Sequence, residues 1–347
     1  MKTCILHDIG DLRFEEAGMP VPSKGEVLIQ IMASGICGSD IPRVFVKGTY
    51  SFPTIPGHEF AGRIIEVGEN VDSRLIDKKA AVFPLLPCRQ CDACQIGEYA
   101  QCGNYNYFGS RCNGGFAEYI AVPFWNLVMT PDSLSYEEAA MAEPAAVAIH
   151  ALRQAGIGIG DNIAIFGAGP IGLMLAKWAD CCGADAIMLV DIDDGKTDFA
   201  KKLGFKYVWN SKYGDPVQWI LEVTNGRGAD IAIEGAGVSS TLEQCLKGVR
   251  HFGKVVAMGN PAGEMKLSQK GYWELLRKQL IIYGTWNSNF VSLPKNDWKL
   301  AIRSMESGKL DLKPFITHRF SLEQCNTALN MMRDRKEFFN KVMFIMK

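Results

Sequence analysis

Two kinds of hydrophobic pattern divide the chain. Up to about residue 140, short β-type runs such as EVLIQIMAS (26–34) and AGRIIEVG (61–68) stand among frequent Gly and Pro. Branched apolar residues in short runs, broken by turn formers, predict an irregular, mostly β domain. After Pro144 the pattern changes. The apolar runs IAIF (163–166), AIMLVD (186–191), YVWN (207–210), DIAIEGAG (230–237), KVVAMGN (254–260) and LIIYG (280–284) alternate with helix-period segments. IGLMLAKWADCC (171–182), DFAKKLG (198–204) and the stretch around Trp219 are among those segments. Six short strands alternating with helices predict an α/β domain built on a doubly wound parallel sheet. Beyond about Asn287 the text is mixed again, with a helical LEQCNTALNMMRD (322–334) and a strand-like KVMFIMK (341–347). The simplest arrangement places one domain, 148–286, inside another built from 1–147 and 287–347.

At 347 residues the chain exceeds what one core usually supports, which agrees with two domains. Hydrophobic residues make up 48% and charged residues 22%, and the net charge is −1, so no basic field invites nucleic acid or anionic lipid. The opening MKTCILHDIGDLRFEE is polar by residue 8, unlike a secretory signal, and charged, Gly or Pro residues interrupt every apolar run before it reaches membrane-spanning length. A cytoplasmic location is the expectation. In a reducing compartment the eleven cysteines more often bind metal, react or fill the core than form disulfides.

The run IAIFGAGPIGLMLA holds Gly167-x-Gly169-x-x-Gly172 between a predicted strand and a predicted helix. The first Gly permits a tight turn, the second lets the backbone approach a pyrophosphate, and the third lets helix pack on strand. The next strand ends in Asp191, where a carboxylate binds ribose hydroxyls and repels a 2′-phosphate, so NAD is expected rather than NADP. The candidate cofactor set is Gly167, Gly169, Pro170, Ile171, Gly172, Asp191 and Lys196.

Cys88, Cys91, Cys94 and Cys102 follow C-x2-C-x2-C-x7-C spacing. Four thiolates satisfy tetrahedral Zn²⁺ and leave no open position, so such a site holds its loop and performs no Lewis-acid work. An iron–sulfur cluster draws on the same donors with a different usual spacing. A second, scattered set consists of Cys37 in SGICGSD, His58 and Glu59 in IPGHEFAG, and Glu143 in MAEPAAVAIH. One thiolate, one imidazole and one carboxylate would make a three-ligand zinc site with an open fourth position. Sequence spacing alone does not group them.

The motifs GICGSD (35–40), GHEFAG (57–62), the four-cysteine run, EP (143–144), GAGPIG (167–172), VDID (190–193) and EGAG (234–237) carry a resemblance that runs nearly end to end. The chain resembles the zinc-containing medium-chain dehydrogenases/reductases of the polyol dehydrogenase branch. CGSDIPR (37–43), LLPCRQCDAC (85–94), FGSRCNGGFAEYI (108–120) and GTWNS (284–288) bring it nearest to dehydrogenases of polyol phosphates. The resemblance implies a GroES-like, mostly-β catalytic domain plus a Rossmann NAD-binding domain, and two zinc ions per chain. It implies interconversion of a secondary alcohol of a polyol or polyol phosphate with its ketone, and a homodimer or homotetramer paired through the last Rossmann strands. By it, Cys37, His58 and Glu143 match the catalytic zinc ligands, Glu59 a neighbouring carboxylate, and Ser39 the hydroxyl that carries the substrate proton.

Two departures bear on mechanism. Pro42 stands where many alcohol dehydrogenases place a relay His, so the expected proton path runs from Ser39 to the cofactor ribose and water, with Glu59 involved. Asn287 stands where sorbitol dehydrogenases place an Arg, which argues against plain sorbitol. A phosphorylated substrate needs a cation beyond the reacting carbon, and Arg43 and Arg111 are the candidates, with Tyr50, Phe108 and Trp286 as candidate pocket aromatics. A zinc ribbon gripping nucleic acid would need a basic patch, but Arg89 and Arg111 are balanced by Asp92 and Glu98 in that segment.

Overall fold

The computed structural model describes residues 1–261, 263–292 and 295–346. The chain divides into two compact units, Met1–Ala146 with Asn289–Lys347, and Val147–Ser288.

In the first unit the strand Glu26–Ile36 is the organising element, because its alternate and neighbouring apolar residues are buried along most of its length. It pairs antiparallel with Glu59–Val67, with Tyr119–Pro123 and with the C-terminal strand Lys341–Ile345. Both chain ends therefore contribute to one seven-stranded sheet. Phe60, Phe116 and Phe344 fill its core, the last two edge to face at 4.9 Å between ring centroids. Gly35 faces Glu59 in the ladder on one side and Met343 on the other. A Cβ there would overlap Glu59 Oε2 and stand 2.8 Å from Lys341 Cε, so only Gly lets those two side chains meet beneath the strand.

The cysteine run is an excursion from this unit, closed at its base where Leu85–Leu86 pairs with Asn106–Tyr107. The segment LEQCNTALNMMRD is not one helix. Ser321 and Gln324 form a capping box around a 3₁₀ turn, Leu322–Gln324, and the α-helix runs from Cys325 to Asp334.

The second unit is a six-stranded parallel sheet. Numbering its strands along the chain, the spatial order is 3-2-1-4-5-6, starting from Tyr207–Asn210 and ending at the edge strand Ile281–Gly284. The order reverses beside Ile163–Phe166, which lies between Ile187–Asp191 and Ala229–Glu234. Open α/β sheets bind ligands at such a switch point, outside the carboxyl ends of the strands. Asp193, Asp215 and Ser268 cap three of the flanking helices with side-chain oxygens.

Candidate metal centres and cofactor site

Cys37 follows the end of Glu26–Ile36, and His58 precedes the start of Glu59–Val67. Because Gly35 pairs with Glu59, the ladder brings these residues side by side, and the ligating atoms of Cys37, His58 and Glu59 lie within 4.8 Å of one another. Asp40, fully buried, organises the group. Its Oδ2 accepts from the Cys37 backbone N at 3.0 Å and its Oδ1 from Arg43 at 2.5 Å. His58 Nδ1 stands 3.4 Å from the same Oδ1, an ion-pair distance without hydrogen-bond geometry. Burial disfavours charge on His58, but the adjacent Asp40 carboxylate, with Cys37, outweighs it and raises the imidazole well above its usual range. Burial also opposes charge on Asp40, yet His58 and Arg43 hold that carboxyl below the usual value.

Glu59 is 2% exposed and bonded to Lys341 Nζ, itself 2% exposed, which also reaches the Ile36 carbonyl at 3.4 Å. Burial would drive the proton off Lys341, but Glu59, Cys37 and Glu143 together raise its pKa. Glu143, expected as the third ligand, falls outside the Cys37–His58–Glu59 group. It accepts instead from Tyr107 Oη at 3.3 Å. Burial pushes its carboxyl up to about 7, with His58 pulling against that rise and Glu59 adding to it. A thiolate, an imidazole and a choice of two buried carboxylates match the donor preferences of Zn²⁺.

The second group comprises Cys88, Cys91, Cys94 and Cys102, again within 4.8 Å of one another and all free thiols. Cys88 Sγ and Cys94 Sγ are 3.9 Å apart. Four ligands at 2.3 Å from a tetrahedral centre stand about 3.8 Å from each other, so the spacing suits one zinc and is far too long for a disulfide. Backbone N–H groups of Cys94 and Gly103 lower the Cys91 thiol to about 6, whereas burial pushes Cys94 up to about 12. A cation at the centre is what would hold all four deprotonated.

In the second unit, Gly167 has φ +112°, and a Cβ on Gly172 would overlap the Gly167 carbonyl. Gly169 is the N-cap of the helix Pro170–Cys181 with no side-chain cap, which leaves first-turn N–H groups of the helix, including that of Ile171, to meet an anion. Asp191 is preset. Its Oδ2 accepts from Ala168 N at 2.7 Å, its Oδ1 from Ile192 N and Asp193 N at 2.8 and 3.0 Å, and Lys196 Nζ lies 3.4 Å away. A pocket of about 380 Å³ lies at the strand ends, walled by Glu234, Met258, Asn260, Thr285 and Trp286 among others. Thr285 Oγ1 is buried there without a hydrogen-bond partner, a vacancy that a polar group of a bound cofactor would fill. Asn287, next to Trp286, accepts from Ser288 Oγ at 3.1 Å.

The remaining candidates separate clearly. Ser39 is half-buried and donates its backbone N–H to Cys37 Sγ at 3.5 Å. Arg43 is occupied by Asp40, so it is not a free cation. Arg111 instead lies over two aromatic rings, 4.1 Å from the Tyr50 centroid and 4.3 Å from that of Tyr105. Phe108 is buried in the core of the first unit rather than on a pocket wall. Asp40, Tyr107 and Lys341 are the residues that motif reading passes over. The one signal for Lys341 is a lysine opening an otherwise apolar strand, KVMFI.

The chain matches two family models, "Alcohol dehydrogenase GroES-like domain" over residues 23–132 and "Zinc-binding dehydrogenase" over residues 170–307. It is 35% identical to galactitol 1-phosphate 5-dehydrogenase of Escherichia coli (strain K12), covering 95% of each chain. It is 34% identical to sorbitol dehydrogenase of Bacillus subtilis (strain 168), covering 99% of this chain and 96% of that one. The crystal structure of galactitol-1-phosphate dehydrogenase from Escherichia coli superposes with a TM-score of 0.92 at 33% identity over the whole of both chains. A zinc-binding dehydrogenase from Sinorhizobium meliloti 1021, solved bound to NADP, superposes at 0.91 with 27% identity over 99% of each. With its two zinc-type donor groups and its nicotinamide-type sheet, the chain belongs to the zinc-dependent medium-chain alcohol and polyol dehydrogenases.

Proposed function

We propose that the chain oxidises a secondary alcohol of a polyol phosphate of the galactitol 1-phosphate type to the ketone, with NAD as hydride acceptor, and runs the reverse reduction. The observation that carries the chemistry is the convergence of Cys37, His58 and Glu59, backed by Glu143, in a chain that also carries the Gly167–Gly172 turn and Asp191. The phosphate preference rests on the galactitol 1-phosphate relative and on the segments CGSDIPR and FGSRCNGGFAEYI.

Cys37 and His58, with Glu59 of the converged group or the neighbouring Glu143 as the carboxylate, would hold a zinc ion, which would supply the Lewis acidity that makes an alcohol acidic near neutral pH. The Gly167–Gly172 turn and Asp191 would hold NAD, which would supply the hydride acceptor. Asp40 orients the His58 ring, and Lys341 holds Glu59 beside the ligand set. Ser39 Oγ would accept the hydroxyl proton while releasing its own toward water, because Pro42 offers no base. Asp191 selects NAD, since its carboxylate pairs with ribose hydroxyls and repels a 2′-phosphate. The four-cysteine group holds its lobe and stays out of the reaction.

The test is a rate comparison on zinc-loaded protein with NAD and NADP, using galactitol 1-phosphate, other polyol phosphates and the free polyols. The expected result is preference for NAD and for a phosphorylated polyol, with Ser39→Ala lowering kcat by about 10²- to 10³-fold. Equal rates on phosphorylated and free substrates overturn the phosphate preference, and full activity in Ser39→Ala overturns the relay.

A further inference from the structure

Arg111 presents an unusual combination: a charged fork with no counter-charge among the described residues, lying over two aromatic rings. Its guanidinium lies over the rings of Tyr50 and Tyr105, at 4.1 and 4.3 Å from their centroids. Only one of its donors is taken, NH1 by the Tyr105 carbonyl at 3.3 Å, and among the described residues no carboxylate lies within ion-pairing distance. Tyr50 is 72% exposed, so burial of its ring does not explain its position, whereas stacking on the guanidinium does.

The backbone beneath is equally fixed. The N–H groups of Ser110, Arg111 and Cys112 all point at the Tyr107 carbonyl, at 3.3, 2.9 and 3.3 Å, and Tyr50 N donates to the Ser110 carbonyl at 3.1 Å. The same segment reaches the metal group. Tyr105 and Tyr107 are neighbours, with centroids 6.4 Å apart, the Tyr107 ring is 5.7 Å from that of His58, and its hydroxyl donates to Glu143. One stretch of chain, Tyr105–Arg111, thus carries a contact to the reacting centre at one end and an unpaired guanidinium at the other. The second candidate cation, Arg43, is neutralised by Asp40 and offers no comparable edge.

We propose that Arg111, stacked against Tyr50 and Tyr105, is the specificity-determining residue that reads a terminal oxyanion on the polyol chain, the phosphate of a polyol phosphate. With two rings against the guanidinium and one donor taken by the Tyr105 carbonyl, its remaining N–H groups are left for a ligand, and they include a parallel pair that fits two oxygens of a phosphate. Stacking fixes the fork before substrate arrives, which reduces the ordering cost of binding. The inference rests on the substrate class proposed above and adds the group that recognises it.

The experiment measures kcat/KM for wild type, Arg111→Met and Arg111→Lys on galactitol 1-phosphate, on a free hexitol and on a hexonate. Inorganic phosphate is titrated as an inhibitor of free-hexitol oxidation. Both substrates of each ratio are read on the same preparation, so loss of folded protein cancels. Arg111→Met is expected to lower the phosphorylated-to-free ratio by roughly 10- to 100-fold, mainly through KM, and to weaken inhibition by phosphate similarly. Arg111→Lys keeps the charge without the fork and recovers part of the ratio. A wild type that prefers the phosphate while Arg111→Met keeps the same ratio and the same phosphate inhibition overturns the role of Arg111 and leaves the proposed function standing. A wild type that prefers the hexonate, with that preference lost in Arg111→Met, overturns the phosphate reading and retains Arg111 as the oxyanion reader. Indifference to all three substrates, with no inhibition by phosphate, overturns both.

Discussion

The two cysteine-containing donor groups differ in what surrounds each sulfur. Cys37 has one thiolate's worth of metal affinity, completed by His58 and by carboxylates that Lys341 and Tyr107 hold in place. Cys94 sits among three more thiols and closes its own site. Replacing one ligand in each group should therefore give opposite phenotypes. Cys94→Ser is expected to lose one of two zinc ions per chain and to lower the melting temperature on the order of 10 °C, since a structural zinc contributes folding free energy directly. Cys37→Ser is expected to lose the other zinc and the activity, with a smaller effect on melting. Metal analysis and thermal unfolding on both variants check this, and a single zinc per chain in the wild type would contradict one of the two sites. At this scale the four-cysteine spacing and the G-H-E run were readable as candidate donors, because C-x2-C-x2-C and G-H-E are local. Their partners were not. Lys341 lies 282 positions from Glu59 and reaches it through strand register, and Tyr107 lies 36 from Glu143, which stands in the first turn of the helix Ala142–Ala155.

Elements in the second unit were legible because a parallel sheet covered on both faces writes each strand as a continuous apolar run. All six runs are strands, and the Gly167 turn falls at the reversal of strand order. What the pattern does not show is how the strands are anchored at their starts. Asp230, 4% exposed, accepts from Asn162 N and Nδ2 at 2.8 and 3.2 Å, from Arg227 at 2.9 Å and from Arg250 at 2.5 Å. It ties the entrance of Ile163–Phe166 to the strands Ala229–Glu234 and Val249–Ala257. Burial opposes its ionisation, but these donors outweigh it and hold the carboxyl below the usual 3.8. Since the folded state binds the proton more weakly than the unfolded state, the stabilisation is complete above the unfolded value. It is lost as pH falls through the depressed folded value. Asp230→Asn is expected to cost about 2–3 kcal/mol at pH 7 and to flatten the loss of stability below pH 4. Urea unfolding at pH 7 and at a series of acid pH values measures both, and an unchanged acid slope would show that Asp230 does not carry it.

For the whole molecule, the open question is what covers the edge of the parallel sheet. Successive side chains of a strand point to opposite faces, so an edge strand packed in a finished core would hide at least one of any adjacent pair. In Ile281–Gly284 neither is hidden: Ile281 is 49% exposed and Ile282 43%. On the helix Gln269–Arg277, Tyr272, Trp273 and Leu276 are exposed as well. The opposite edge, Tyr207–Asn210, has no exposed residue of this kind. A bare apolar edge with unpaired backbone groups is an aggregation hazard that proteins remove by pairing it, and two-fold pairing with a second copy does so with a single self-complementary patch. A dimer through this strand, alone or within a tetramer, is therefore expected. A lysine on the strand places a desolvated charge in that patch twice, once from each subunit. Ile282→Lys is expected to reduce the particle by half in mass, as read by light scattering at micromolar concentration, while the melting of the unit itself shifts little because the side chain is already half exposed. A wild type that runs as a monomer, or an Ile282→Lys protein that keeps the wild-type mass, would place the subunit contact elsewhere.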